Sequence, residues 1–238
     1  KNASKDGSLP TLLYGYGGFE VPMLPSYGGG TGKTWMERGG AFVLACIRGG
    51  GEFGPAWHRA ALGVHRPKAY EDFIAVAEDL IQNGWTSPRR LGISGASNGG
   101  LLVGASFTKR PDLFNAVVCG VPLLDMLRYS KLLAGASWIG EYGDPEDPAM
   151  RETLLSYSPY HQVKKDVTYP EVFFQTSTKD DRVHPGHARK MVARMLEQGH
   201  PVYYFENIEG GHGAASNLQQ RARRTALEMT YLHQKLFD

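Results

Sequence analysis

Three kinds of side chain in this sequence could together cleave an ester or an amide. Ser97 stands at the centre of Gly95-Ala96-Ser97-Asn98-Gly99, Asp180 and Asp181 are adjacent, and His212 lies in Gly210-Gly211-His212-Gly213. A serine hydroxyl is too weak an acid to attack a carbonyl unaided, so it needs a base, and the base needs a carboxylate to orient it. Gly-x-Ser-x-Gly by itself is a weak pattern because glycine and serine are common. Here a short apolar strand beginning at Leu91 runs into it and an apolar helical run, residues 101–107, follows, which is the strand-turn-helix setting of a nucleophile elbow. In such a turn Gly95 and Gly99 let backbone segments approach, and the N–H of Asn98, at the helix N-terminus, can donate to a developing oxyanion. Eight histidines compete for the role of base. His212 is the one in a glycine-flanked loop after the last strand; His58 and His65 precede the serine, and His184 and His187 precede or open a helix. Spacing does not choose between Asp180 and Asp181.

These groups have to be carried by elements that end close together. Residues 9–14 read as a short buried strand leading into Gly15-Tyr16-Gly17-Gly18-Phe19, a turn suited to a second oxyanion donor. Residues 41–47 are a continuous apolar run, as in a parallel strand covered on both faces, and end in Arg48-Gly49-Gly50-Gly51-Glu52. A helix over 70–82 stops at Asn83-Gly84, and the helix over 98–110 ends before Pro111. Further strands are expected at 116–119, 171–176 and 202–206, with helices over 185–198 and 217–236. Residues 121–169 form the least regular stretch, rich in aromatics and prolines and suited to a specificity pocket. Alternating strands and helices predict an α/β fold, a doubly wound, mostly parallel sheet of about six strands.

Composition narrows the functional classes. A chain of 238 residues, 42% hydrophobic and 21% charged, can bury one α/β core. A net charge of +2 gives no argument for nucleic acid, and Arg221, Arg223 and Arg224 read as the solvated face of the last helix. No apolar run reaches the roughly 18 residues of a membrane span. Cys46 and Cys119 lie in apolar strand-like runs and read as buried free thiols. Gly28 to Gly32 is a glycine-rich loop without phosphate-loop spacing, and His184-Pro185-Gly186-His187 lacks a third metal ligand and reads as a surface loop. No cofactor and no metal are expected. The chain begins Lys1-Asn2-Ala3 without Met or leader and reads as a piece of a longer polypeptide, for which the cytoplasm is the expected compartment and the periplasm the alternative.

Taken together, Tyr14-Gly15-Tyr16-Gly17-Gly18-Phe19, Arg48-Gly49-Gly50-Gly51-Glu52, Gly95 to Gly100, Asp180-Asp181-Arg182-Val183 and Gly211-His212-Gly213 resemble the peptidase domain of the prolyl oligopeptidase family over nearly the whole chain. The resemblance implies an α/β-hydrolase fold, with 1–238 a single peptidase domain. It implies Ser97 as nucleophile, Asp180 as orienting acid and His212 as base, with Tyr16 and the Asn98 N–H as oxyanion donors. Arg182 would bind a substrate carbonyl, and Phe19, Leu123, Trp138, Tyr142 and Val183 would line the pocket. The implied activity is cleavage of short peptides on the carboxyl side of proline, since an aromatic-walled pocket without a carboxylate suits a proline ring. It also implies an N-terminal β-propeller elsewhere in the polypeptide. An α/β-hydrolase sheet usually has more strands, the first of which would be missing here, leaving the 41–47 strand as an apolar, aggregation-prone edge. Asn98 stands where the basic-residue-specific oligopeptidases usually have Ala. Other readings on the same fold are an esterase or acylaminoacyl peptidase, a basic-residue-specific oligopeptidase, and a non-catalytic binding module.

Overall fold

The computed structural model describes residues 3–237; the opening Lys1-Asn2 lies outside them. Six strands form one sheet: β1 (Thr11–Gly15), β2 (Ala41–Ala45), β3 (Leu91–Ala96), β4 (Ala116–Gly120), β5 (Val172–Ser177) and β6 (Val202–Asn207). Their order is β2-β1-β3-β4-β5-β6 and every neighbouring pair is parallel. The chain winds from β1 outward to β2, then returns to place β3 on the opposite side of β1. Such a reversal opens a crevice between the C-terminal ends of the two strands, where parallel α/β sheets bind ligands.

Five longer helices cover the sheet: α1 (Pro67–Gln82), α2 (Asn98–Lys109), α3 (Pro148–Tyr157), α4 (Gly186–Glu197) and α5 (Leu218–Leu236). Pro67 starts α1 at the position where a missing N–H costs nothing, and Arg110 ends α2 because Pro111 disfavours a helical predecessor. The first ten residues of α2, 98–107, are all buried, so this helix has no solvent face over that span. It packs with Phe73 of α1, Met191 of α4 and the inner side chains of β1, β3 and β4 in the main core. On the opposite face Leu232 and Leu236 of α5 meet Leu12, Trp35, Ala116 and Val118. The sheet is thus covered on both sides, as alternation of strands and helices requires.

Four expectations change. Gly28 to Gly32 is not wholly loop, since Gly29–Thr34 makes one exposed helical turn and a half. Residues 121–169 are built from short helices; Asp147 accepts the Ala149 N–H at 3.0 Å and Pro148 follows it, a start signal for α3 that lies plainly in the sequence. Cys46 is exposed while Cys119 is buried, because β2 ends at Ala45 and lies at the sheet edge. His187 is not on a surface loop but in the first turn of α4 and only 2% exposed, its Nδ1 accepting the Leu124 and Asp125 N–H groups.

Candidate active site

The C-terminal ends of β1, β3, β5 and β6 bring the chemistry together. Ser97 links β3 to α2 with φ 60° and ψ −119°, a conformation that a side-chain-bearing residue keeps only when its surroundings hold it. The crossing of strand and helix there is so close that a Cβ on Gly95 would lie 2.2 Å from the Gly99 carbonyl oxygen. His212 Nε2 stands 3.1 Å from Ser97 Oγ, and His212 Nδ1 is 2.9 and 3.0 Å from the two oxygens of Asp180. A carboxylate only accepts, so Nδ1 carries the proton and Nε2 is left to accept from the serine.

Asp180 is the member of the pair that faces the histidine. It is 4% exposed, and its Oδ1 also accepts the backbone N–H groups of Arg182 and Val183 at 3.0 and 2.9 Å. Asp181 is exposed. The histidine loop is braced from two sides, by Asn207 Nδ2 donating to the Ala214 carbonyl and Arg224 donating to that of Gly213. Of the basic cluster on α5, Arg224 is therefore half-buried against this loop, whereas Arg221 and Arg223 are solvent-exposed.

Tyr16 follows β1 directly. Burial raises the pKa of its phenol, opposed by a hydrogen bond to Ser97 and by the nearby charges of Arg182 and Arg66, so at neutral pH it remains a proton donor beside the serine. The Asn98 N–H opens α2, where the first amides have no partner within the helix. The Tyr16 turn rests on the second glycine loop: a Cβ on Gly49 would lie 2.4 Å from the Gly17 carbonyl oxygen, and one on Gly51 2.2 Å from that of Glu20.

A cavity of about 410 Å³ opens beside Ser97 and His212. Phe19, Leu123, Trp138 and Tyr142 line it, joined by Arg182, Val21 and Ser137. Phe19 and Tyr142 meet edge to face at 5.6 Å. Val183 does not line it; its side chain is buried in the main core while its N–H holds Asp180. One carboxylate that the sequence did not reveal stands behind the wall. Glu141, 6% exposed, receives Phe19 N–H and Arg66 Nη1 on one oxygen, each at 2.8 Å, and pairs with His58 Nε2 at 2.8 Å through the other. Arg66, wholly buried, and His58 were likewise missed as parts of the site. The available signal was a lone acid, Glu141, between Gly140 and the pocket residue Tyr142. Among the described residues no group of three or more His, Cys, Asp or Glu side chains could hold a metal ion, and no helix is long and apolar enough to cross a membrane.

A parallel sheet with a serine at a strained strand-to-helix turn, bonded through histidine to aspartate, defines an α/β-hydrolase. Within that class the chain belongs to the prolyl oligopeptidase family, whose sequence profile matches residues 28–238. It is 60% identical over its whole length to an uncharacterized peptidase of Sinorhizobium fredii, of which it covers 33%. It is 44% identical, over 92% of its length, to the prolyl endopeptidase of Elizabethkingia meningoseptica, covering 32% of that protein. The solved structure of a post-proline cleaving enzyme from Rickettsia typhi superposes with a TM-score of 0.96 at 44% identity, covering 99% of this chain and 34% of the other. The chain spans about a third of the length of the curated relatives it matches.

Proposed function

We propose that this chain is the hydrolase part of a serine oligopeptidase that cuts short peptides on the carboxyl side of proline. The observation that carries the reading is the unbroken hydrogen-bonded line from Asp180 through His212 to Ser97 Oγ. Ser97 Oγ attacks the scissile carbonyl carbon as His212 Nε2 takes its proton. The ionised Asp180 stabilises the imidazolium and does not itself take the proton. The carbonyl oxygen, now negative, receives hydrogen bonds from the Tyr16 hydroxyl and the Asn98 N–H. The C–N bond breaks as His212 returns the proton to the departing amine, leaving an acyl group on Ser97. Water, deprotonated by the same histidine, then frees the acid and restores the serine.

Trp138, Phe19 and Tyr142 give the cavity flat apolar walls suited to a proline ring, and the exposed Arg182 at its rim can donate to a peptide carbonyl. The names of the relatives from Elizabethkingia meningoseptica and Rickettsia typhi support the same preference. Glu141 is the one observation that favours a basic-residue-specific reading instead, but Arg66, His58 and the Phe19 N–H already engage both its oxygens. The polypeptide is proposed to continue upstream into a β-propeller and into strands that pair with β2.

The test compares kcat/KM for reporter peptides ending in Gly-Pro and in Arg, on the full polypeptide, alongside fluorophosphonate labelling. A Gly-Pro preference and labelling that both vanish in Ser97→Ala are expected. Preference for Arg, or turnover of simple esters alone, would keep the triad and overturn the pocket; absence of labelling would make the chain a binding module.

A further inference from the structure

The turn that carries Tyr16 is held in an unfavourable shape. Phe19 and Glu20 both have left-handed backbones, φ 56° and 57°, which residues bearing a Cβ adopt only when the structure around them insists. A closed ring of hydrogen bonds surrounds this turn. Asn98 Nδ2 donates to the Tyr16 carbonyl at 2.6 Å, and Asn98 Oδ1 accepts from Arg66 Nη2. Arg66 Nη1 donates to Glu141 Oε1, which also accepts the Phe19 N–H, and the backbone from Phe19 back to Tyr16 completes the circuit. Tyr142 adds its hydroxyl to Asn98 Oδ1 at 2.8 Å, and His58 fixes the second oxygen of Glu141.

The ring joins the two elements whose donors must converge on one oxygen atom, the Tyr16 turn and the N-terminus of α2. It is also built from a buried ion pair, which contributes little to stability compared with apolar packing and is better explained by what it positions. We infer that Glu141 and Arg66 are positioning residues that hold the Tyr16 hydroxyl in register with the Asn98 N–H, acting on the transition-state oxyanion through the backbone of residues 16–19. The inference rests on the peptidase reading above. Neither side chain needs to touch substrate; losing either loosens a donor whose placement must be correct to a fraction of an ångström.

The experiment is a double-mutant cycle between Glu141→Ala and Tyr16→Phe in the full polypeptide, with enzyme concentration set by the end point of fluorophosphonate titration so that unfolded protein is not counted. Tyr16→Phe alone is expected to lower kcat roughly 10² to 10³-fold. Glu141→Ala alone should lower kcat at least about tenfold with KM changed less than about threefold, as for an interaction made only in the transition state. Glu141→Gln, which keeps an acceptor for the Phe19 N–H, should recover part of that loss. In the Glu141→Ala background Tyr16→Phe should cost less than about tenfold, because the hydroxyl is already misplaced. Equal Tyr16→Phe losses in both backgrounds, or an effect of Glu141→Ala on KM alone, would overturn the positioning role and leave the peptidase reading standing. A Tyr16→Phe enzyme as active as its parent would overturn the positioning role by removing the group it positions, whereas the peptidase reading falls if activity and fluorophosphonate labelling survive Ser97→Ala. Should Glu141→Ala fail to fold with Arg66 left unpaired, the same cycle is run with Arg66→Met and Glu141→Leu combined, which removes both charges, with the same two outcomes deciding.

Discussion

Ser97 shows how a single residue can concentrate cost and purpose: its backbone is strained by about 1–3 kcal/mol, and that strain lifts the hydroxyl to the sheet edge. A second residue stores its cost in a proton. Burial drives the pKa of His187 down to about 4, with Asp125 opposing and Lys190 assisting the shift, and the neutral ring uses its Nδ1 lone pair to accept two backbone N–H groups. The unfolded chain, with an ordinary histidine near 6.5, therefore binds an extra proton between about pH 4 and 6.5. Stability from this group is complete above that window and declines as pH falls through it, by about 3 kcal/mol in all. His187→Asn, which keeps an acceptor but cannot titrate, should flatten the fall of the urea midpoint between those values; an unchanged slope would show that other groups cause it. The triad was legible in the sequence because chain order and strand ends constrain Ser97 and His212 strongly. Choosing Asp180 over Asp181 took the family resemblance, which the turn geometry supports by aiming Asp180 at the histidine. Arg66, Glu141 and His58 carry no motif and come from segments far apart in sequence, so only folding brings them into one network. Val183 was misplaced because spacing cannot tell a side chain that lines a wall from one whose backbone supports a carboxylate.

At the scale of elements, the strands and four of the five longer helices matched the sequence closely, since an apolar run between turn residues survives most tertiary contexts; α3 was missed although Asp147-Pro148 marks its start. Two shorter misses share a cause: Leu133–Trp138 and Ile139–Tyr142 are too short to show a period, and Leu133 itself has a left-handed φ of 48°. The outer strand β2 is the instructive case. Its apolar run reads as fully covered, yet in this structure Phe42 is 37% exposed and only Ala45 is buried, because β2 has β1 on one side and, among the described residues, no strand on the other. Such an edge offers unpaired backbone groups and apolar side chains to any passing strand. Phe42→Lys in the isolated 238-residue chain should reduce light scattering from self-association. Unchanged scattering would place the adhesive surface elsewhere, the exposed Tyr203 and Tyr204 on β6 being the next to try.

On the scale of the whole molecule, the cavity beside Ser97 opens at the C-terminal edge of the sheet, and the chain corresponds to about a third of each matched relative. If the remainder includes a domain standing over that edge, access depends on substrate size as well as on the pocket. The full polypeptide should then cut a short proline reporter while sparing a long unfolded polypeptide, and the isolated chain, where it folds, should lose that discrimination; equal selectivity in both would locate the filter within these 238 residues. The contacts between the turn after β1 and the loop after β2 have a different consequence. Gly49 and Gly51 press against the carbonyls of Gly17 and Glu20 with no room for a methyl group, so neither loop tolerates a partner of another shape. A gene recombined between the codons for residues 20 and 48 would join two halves that had never been fitted to each other. The two loops are thus heritable only as a pair, and breeding new specificities from relatives must move residues 16–52 as one block.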